Sequence, residues 1–523
     1  MNNIKEYAKY IPTETESRWS DVEEIKSSTN IRQIDVSQES CDACGLPIIS
    51  DGTITYVDNM DTHSLIFGAT GSKKTRLFGM PLMNMMALAG ESVIVTDPKG
   101  EIYDKTSGLF KSKGYEIICL NMRELTKSAG WNPLDLMHKY YHSGEQDKGM
   151  ALMNDFIQAF SEPNAGVKLE PFWILSARTL LNAYLSFFLE TASYEQAHIF
   201  NFAKFLSSGT STSGAKVLIS MMSKGSTASV NLGNVLSLAS ADETFGCVVS
   251  TATSYLQPFI SSRELCRMMS KSTFDMINIG RKKTVVYLIV PDEKTTFHFL
   301  ISTFVKQVYE ALINEAQQLE NKSLPVRVNF ILDEFCNIPT IPDMASMISA
   351  ARSRNMRFFL YVQGSHQLRG KYGYDAETIK GNCENIVFLS SREFELLSEF
   401  SYLCGNVAYT DARGNYGIKP LISTSDLQRL CKNSGQALIL HGRQYPYMTE
   451  LPDIDQYAFC KYPKIEIKVE SLPDFVFYDE EFVFSEIQNK LRPLPFSEEV
   501  FGELRYYIGE VREDKASVSD AAH

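Results

Sequence analysis

The chain lacks the features that would anchor it, cross-link it or coat it with positive charge. No run of apolar residues reaches the roughly 18 that span a bilayer. The first segment, with Lys5, Glu6, Lys9, Glu14 and Arg18, has no room for the apolar stretch of a secretory leader. Both absences predict a cytoplasmic protein, peripheral at a membrane only through partners. A disulfide framework is also missing. The ten cysteines are scattered through apolar segments, as at Cys119, Cys247, Cys336 and Cys383, which predicts reduced, buried thiols. Cys41 and Cys44 form the one tight pair, and a single C-x-x-C without a second pair or nearby histidine is a weak metal signal. Positive charge is in deficit, with 51 Lys and Arg against 63 Asp and Glu and a net charge of −12. This excludes a protein that coats nucleic acid with its whole surface, so any such contact must be local. The basic clusters at 111–113, 281–283 and 352–357 read first as solvated faces.

What is present is the composition of a folded chain: 523 residues, 44% hydrophobic and 22% charged, enough for several domains around a large core. From His63 the pattern becomes strand, glycine loop, helix, strand, which predicts an α/β fold with a mostly parallel central sheet. Strands are expected at 63–67, 92–96, 115–120, 284–290, 326–332, 358–362, 386–389 and 437–440, and the first helix at 76–88. Between 132 and 270 the strand signal fades. Phe172, Leu175, Ala177, Leu180, Leu181, Tyr184 and Leu185 recur at helical spacing there, predicting an inserted all-α domain. A second stripe, Phe297, Leu300, Ile301, Phe304, Val308 and Leu312, predicts a helix packed on the sheet. The expected division is an N-terminal extension at 1–61, polar and turn-rich, a nucleotide-binding domain in two parts at 62–131 and 271–463, the insertion at 132–270, and an acidic C-terminal extension at 464–523 with a disordered tip.

The chemistry concentrates in Gly68-Ala69-Thr70-Gly71-Ser72-Lys73-Lys74-Thr75, which follows an expected strand and opens an expected helix. That context is the one a P-loop requires, because glycines let backbone N–H groups and the helix N-terminus face a phosphate. Lys74 would then reach the β- and γ-phosphates of ATP and Thr75 would place its hydroxyl on Mg2+. Lys73 occupies the position that is ordinarily glycine, adding bulk and a second positive charge where the backbone must bend. Further along, Val328-Asn329-Phe330-Ile331-Leu332-Asp333-Glu334 reads as a buried strand ending in two carboxylates. Asp333 is expected on the metal and Glu334 as the base that polarises the attacking water. The next strand ends at Gln363, an amide placed to sense the γ-phosphate.

With Thr96-Asp97-Pro98-Lys99-Gly100-Glu101, these residues resemble the TraG/TraD family of type IV coupling proteins, relatives of the FtsK/HerA hexameric motors. The likeness is carried also by Asp333-Glu334-Phe335-Cys336-Asn337-Ile338-Pro339, Ala351-Arg352-Ser353-Arg354, Gln363 with Gln367-Leu368, Gly381-Asn382-Cys383, and Pro171-Phe172-Trp173 with Ala177-Arg178, and spans roughly 62–457. The resemblance implies a RecA-like ATPase that assembles as a homo-hexamer and uses ATP and Mg2+. It further implies partners: single-stranded DNA, a relaxase or secreted protein, and the components of a type IV secretion channel. Asp97 and Lys99 would lie at the nucleotide edge, and Arg352 or Arg354 would stabilise transition-state charge in a neighbouring protomer. Two departures stand out: the transmembrane helices that begin many members are not seen here, and Lys73 bears on hydrolysis. Two alternatives follow, a substrate-docking receptor that binds nucleotide with little or no hydrolysis, and an FtsK/HerA-type DNA motor outside secretion.

Overall fold

The computed structural model describes residues 17–161, 170–208, 212–239, 241–291, 293, 295–410, 416–466 and 476–477. Most of the expected C-terminal extension, including its tip at 514–523, lies outside the described residues. A short helix, Val22–Ser27, precedes three strands, β1 (Ile31–Asp35), β2 (Leu46–Ser50) and β3 (Ile54–Asp58), which pair antiparallel in the order β1-β3-β2. The segment expected as a polar extension is therefore a folded layer. Its strands are five residues each and separated by turns such as Asp51-Gly52, so no single strand carries a strong apolar signal.

The main sheet has nine strands. In chain order they are β4 (Ser64–Gly68), β5 (Ser92–Thr96), β6 (Glu116–Asn121), β7 (Thr284–Ile289), β8 (Val328–Leu332), β9 (Met356–Val362) and β10 (Asn385–Ser390), then, after the separate hairpin β11 (Asn406–Thr410) and β12 (Tyr416–Pro420), β13 (Gln436–His441) and β14 (Tyr447–Glu450). Their spatial order is β14-β13-β10-β4-β9-β8-β5-β7-β6. The seven strands from β10 to β6 run parallel, and β13 and β14 add an antiparallel edge. Strands β4, β5, β7, β8 and β9 are buried along their whole length, which is why they read as unbroken apolar runs.

Between β6 and β7 the described residues contain helices and no strand, from Asp135–His142 to Asn278–Arg281. The longest, Pro171–Thr191, opens on a proline whose missing N–H would have been unpaired in the first turn anyway. Its residues Ala177, Leu180, Leu181, Tyr184 and Leu185 are buried as expected, but Phe172 and Leu175 of the same stripe are exposed. By length and composition this helix could cross a membrane, with a mean hydropathy of 1.3 over 18 residues; 61% of that window is buried inside the protein. The helix His298–Gln318 buries Leu300, Ile301, Phe304, Val308 and Leu312 against the core.

The amino edge of the sheet is sealed by a buried polar network. Arg357, fully buried rather than part of an exposed basic cluster, sends Nη2 to Glu91 Oε2 at 2.5 Å, Nε to Asn329 Oδ1 at 2.8 Å and Nη1 to the carbonyl of Cys44 at 3.1 Å. Arg327 adds contacts to Glu91 and to Asp61. One guanidinium thus fastens the N-terminal layer to β8 and β9. Burial acts to raise the Glu91 carboxyl, but the charges of Arg357 and Arg327 outweigh it and hold the group below the usual carboxylate range. A depressed folded-state pKa contributes stability above the unfolded value and loses it as pH falls through the folded one. Arg357→Met leaves Glu91 buried without its main partner and should destabilise the fold by about 3–5 kcal/mol at pH 7. The deficit, read as the gap in thermal midpoint from the unmodified protein, should narrow as pH falls, because Glu91 without Arg357 takes a proton more readily than it does in the unmodified protein. A gap independent of pH would remove Glu91 from the explanation.

Candidate functional site

Parallel strands send their carboxyl ends to one edge, so the segments leaving β4, β5, β8 and β9 gather there. Because β9 lies between β4 and β8, the residue that follows it, Gln363, falls between the glycine loop and the two acids. Residues from the loop, with Asp97, Lys99, Asp333, Glu334 and Gln363, line a cleft of about 310 Å³.

The loop closes on itself through its backbone, with Ala69 N–H donating to the Ser390 carbonyl at 3.0 Å and Ser72 N–H to that of Ala69 at 3.0 Å. Gly68 must lack a side chain, since a Cβ there would lie 2.4 Å from Ser72 Oγ and 2.8 Å from Lys74 Cγ. Gly71 has φ +78°, open to glycine. Lys73 also occupies the left-handed region, at φ +66°, so the loop keeps the bend of a glycine while carrying a lysine. Such a conformation costs an L-residue about 1–2 kcal/mol. Its ammonium lies 3.4 Å from Asp453, which also accepts from Arg76; Arg76 reaches Asp455 as well, at 2.6 Å. Both aspartates follow β14; Asp453 caps the turn Ile454–Gln456 and Asp455 lies within it, so a short acidic strap holds the loop's outer side. Neither was found from sequence, since a 377-residue separation leaves no local signal.

On the inner side, Lys74 is buried and donates to the Gly68 carbonyl at 2.6 Å, with Nζ 3.7 Å from Glu334 Oε1. Thr75 Oγ1 donates to Asp333 Oδ2 at 2.7 Å, which brings hydroxyl and carboxylate side by side. Glu334 sits at φ +52°, another strained non-glycine, and its Oε2 accepts from Gln363 Nε2 at 2.7 Å and from Asn337 Nδ2 at 3.1 Å. Asn337 lies in the quoted stretch after Asp333, yet a role for it was not foreseen; the tight turn Phe335–Asn337 turns it back onto Glu334. Burial raises the Asp333 carboxyl, opposed by Thr75 and Lys74, and burial pushes Asp97 up to about 6. Asp97 uses one oxygen to accept from Tyr103 N–H at 2.8 Å, fixing the start of the helix Glu101–Ser112, while Lys99 is exposed at the rim.

The hydroxyl of Thr75 and the carboxylate of Asp333 suit a hard divalent cation. The buried Ser72 Oγ has no hydrogen-bond partner among the described residues, in a loop that curves around a space for an anion. The residues therefore fit a nucleotide with Mg2+. Arg352 and Arg354 are not brought to this cleft. They precede β9, about 20 Å away across the sheet, where Arg352 pairs with Glu384 at 2.9 Å. Cys44 takes a contact from Arg357, and the Cys41 thiol faces the Met85 carbonyl; among the described residues no group of three or more His, Cys, Asp or Glu is placed to hold a metal.

Lys73→Gly removes the left-handed cost and the partly exposed ion pair together, each worth about 1 kcal/mol or less after the added chain freedom of glycine. Lys73→Ala keeps the cost and loses only the pair. Thermal denaturation should therefore rank Lys73→Gly at or above Lys73→Ala. The reverse ranking would mean that the loop is not strained there.

Solved structures share this architecture. The bacterial conjugative coupling protein TrwBdeltaN70, unbound, aligns with TM-score 0.60 at 15% identity over 86% of this chain and 96% of its own. Plasmid coupling protein TrwB with the non-hydrolysable ATP analogue ADPNP gives 0.60, 14%, 88% and 97%, and TrwB with ADP and Mg2+ gives 0.58, 14%, 86% and 95%. The likeness establishes a RecA-like P-loop fold. No curated protein matches the chain in sequence. The family profile described as type IV secretory system conjugative DNA transfer matches residues 18–439, beginning within the N-terminal layer rather than at the expected residue 62. With that match over most of its length, the chain belongs to this family of conjugative DNA transfer proteins.

Proposed function

We propose that the chain is a coupling ATPase that drives DNA, or a relaxase or other protein bound for transfer, to a type IV secretion channel with the energy of Mg-ATP hydrolysis. The observation that carries the reading is the meeting of Thr75 with Asp333 and of Gln363 with Glu334 at the mouth of the glycine loop. Loop N–H groups and Lys74 bind the phosphates, and Thr75 and Asp333 hold Mg2+. The cation, when bound, offsets negative charge on the phosphates. Glu334 accepts a proton from the attacking water, while Gln363 and Asn337 hold its Oε2 and orient it. Gln363 is also placed to register the γ-phosphate.

Lys73 does not weaken the hydrolytic reading, because the loop keeps its bend and the Lys73 side chain turns outward to Asp453. This disfavours the receptor without hydrolysis, and the family disfavours a motor outside secretion. The finer reading is a homo-hexamer at the cytoplasmic face of the membrane, held there through partners. In it, Arg352 or Arg354 enters the neighbour's site, and the helical region 132–270 acts as a domain that receives cargo. Supporting the first point, Arg352 is 43% exposed in its side chain and remote from its own chain's cleft.

The test is Mg2+-dependent ATP hydrolysis at one stated salt concentration, with and without single-stranded DNA. Glu334→Gln should lose about 100-fold or more in turnover while retaining nucleotide binding, and Lys74→Ala should lose both. Unaltered turnover in Glu334→Gln would overturn the assignment of the base. Arg352→Ala and Arg354→Ala should bind nucleotide normally, and at least one should lose turnover in the assembled ring; full activity in both would exclude them.

A further inference from the structure

The helix that begins just after Gln363 takes its cap from the exit of another strand. Gln363 is followed by Gly364 and the helix Ser365–Tyr372. The first N–H groups of a helix have no partner within it, and a side chain at the preceding residue ordinarily meets them. Gly364 has no side chain to offer. Glu393 supplies both acceptors instead: its Oε2 takes Ser365 N–H at 3.0 Å and its Oε1 takes His366 N–H at 3.0 Å. Glycine leaves room for this approach, since a Cβ at 364 would lie 2.4 Å from Glu393 Oε2. Glu393 is itself held, its N–H donating to Ser391 Oγ at 3.0 Å and its carbonyl accepting from Leu397 N–H at 3.0 Å at the start of the helix Phe394–Leu403. Its side chain is 15% exposed, with His366 Nδ1 3.1 Å from Oε2.

Glu393 follows β10 and Gln363 follows β9, with β4 between the two strands. The contact therefore passes over the end of β4, where the glycine loop starts and where Ala69 N–H donates to the Ser390 carbonyl. One strand exit thus holds both the glycine loop and the turn that carries Gln363. Bonds to an ionised carboxylate are stronger than neutral ones, so this is a firm tether. Firmness matters at Gln363, whose amide meets Glu334 at 2.7 Å, because a misplacement of about 1 Å at a reacting group costs about 100-fold in rate. Lys74 and Thr75 are positioned by other contacts, to the Gly68 carbonyl and to Asp333.

The geometry points to Glu393 as a positioning residue for hydrolysis: its carboxylate fixes the turn at Gly364 and Ser365, and through that turn holds Gln363 within reach of Glu334 and the γ-phosphate. This role rests on the function proposed above, in which Glu334 is the base and Gln363 registers the γ-phosphate.

The experiment measures Mg2+-dependent ATP hydrolysis by the full chain, by Glu393→Ala, Glu393→Gln and Gln363→Ala, and by the double variant of Glu393→Ala with Gln363→Ala. Calorimetric binding of ADPNP gives the folded fraction of each from its stoichiometry. Glu393→Ala should lower kcat about tenfold or more while KM stays within about twofold. Glu393→Gln keeps the shape but loses the charge and one acceptor, should lower kcat about threefold, and carries the same comparison where Glu393→Ala does not fold. In the Gln363→Ala background, Glu393→Ala should cost no further turnover, because both changes remove the same positioned amide. Full kcat in the Glu393 variants beside a loss in Gln363→Ala, or losses that multiply in the double variant, would overturn the positioning role and leave the proposed function standing. Full kcat in Gln363→Ala, or no turnover in the unmodified chain, would instead strike that function, and the positioning role with it.

Discussion

The hydrogen bond from Thr75 Oγ1 to Asp333 Oδ2 joins two residues 258 positions apart, and the rest of the site takes its positions from that meeting. It requires β4 and β8 to run parallel and to end at the same level. It also requires a strand between them, because the loop must arch over a neighbour before its helix can reach the acid. That strand is β9, and the arrangement leaves Gln363 between the two halves of the site. The helix leaving the loop opens with one π-helical turn, Thr75–Gly79, before becoming the α-helix Met80–Ala89, a departure common at functional positions.

The two edges of the sheet are secured in different ways. At the amino edge, Arg357 is buried with Glu91, and the carbonyls of Cys44 and Met60 satisfy the same guanidinium, so the N-terminal layer is held by hydrogen bonds that would be costly to leave unmade. At the carboxyl edge, Asp453 and Asp455 sit nearer solvent and collect Lys73, Arg76 and Lys105. Pairs of that kind are individually weak and screened by salt. The loop is therefore backed by the buried sheet on one side and by a strap of partly exposed ion pairs on the other, which suits the phosphate-binding role proposed above.

The sheet and the inner half of the site were legible in the sequence because both depend on local patterns: fully buried parallel strands read as apolar runs, and the loop and the acid pair are contiguous strings. The contiguous string Asp333-Glu334-Phe335-Cys336-Asn337 even contained Asn337, but only the left-handed turn at Glu334 shows why its amide points backwards. What was not legible came from distant segments. Asp453 approaches Lys73 from the far side of the sheet domain, and Val476 approaches Asn201 from 275 positions away. The basic run 352–357 misled because arginines five positions apart have opposite fates: Arg352 ends in solvent beside Glu384, whereas Arg357, carried inward by β9, is fully buried. Place in the fold, not composition, separates them: Arg352 lies in the helical turn before β9, and Arg357 lies within a strand buried on both faces.

Strain is distributed in the site in a way that bears on its chemistry. Lys73 and Glu334 stand on opposite sides of Lys74, and both occupy left-handed backbone regions that favour glycine. Neither conformation persists without compensation. At Lys73 the compensation is the ion pair with Asp453, outside the cleft; at Glu334 it is the pair of amides from Gln363 and Asn337, inside it. The outer compensation does not compete with phosphate, so the loop can hold its shape with or without nucleotide. Under the proposed function the inner one does: Gln363 is the group that would turn toward a γ-phosphate, and the same amide holds the Glu334 carboxylate. Both amides donate to the same oxygen, Oε2, so under the proposed function a Gln363 amide that turned to phosphate would leave Asn337 as the remaining amide on that oxygen and Lys74 beside the other.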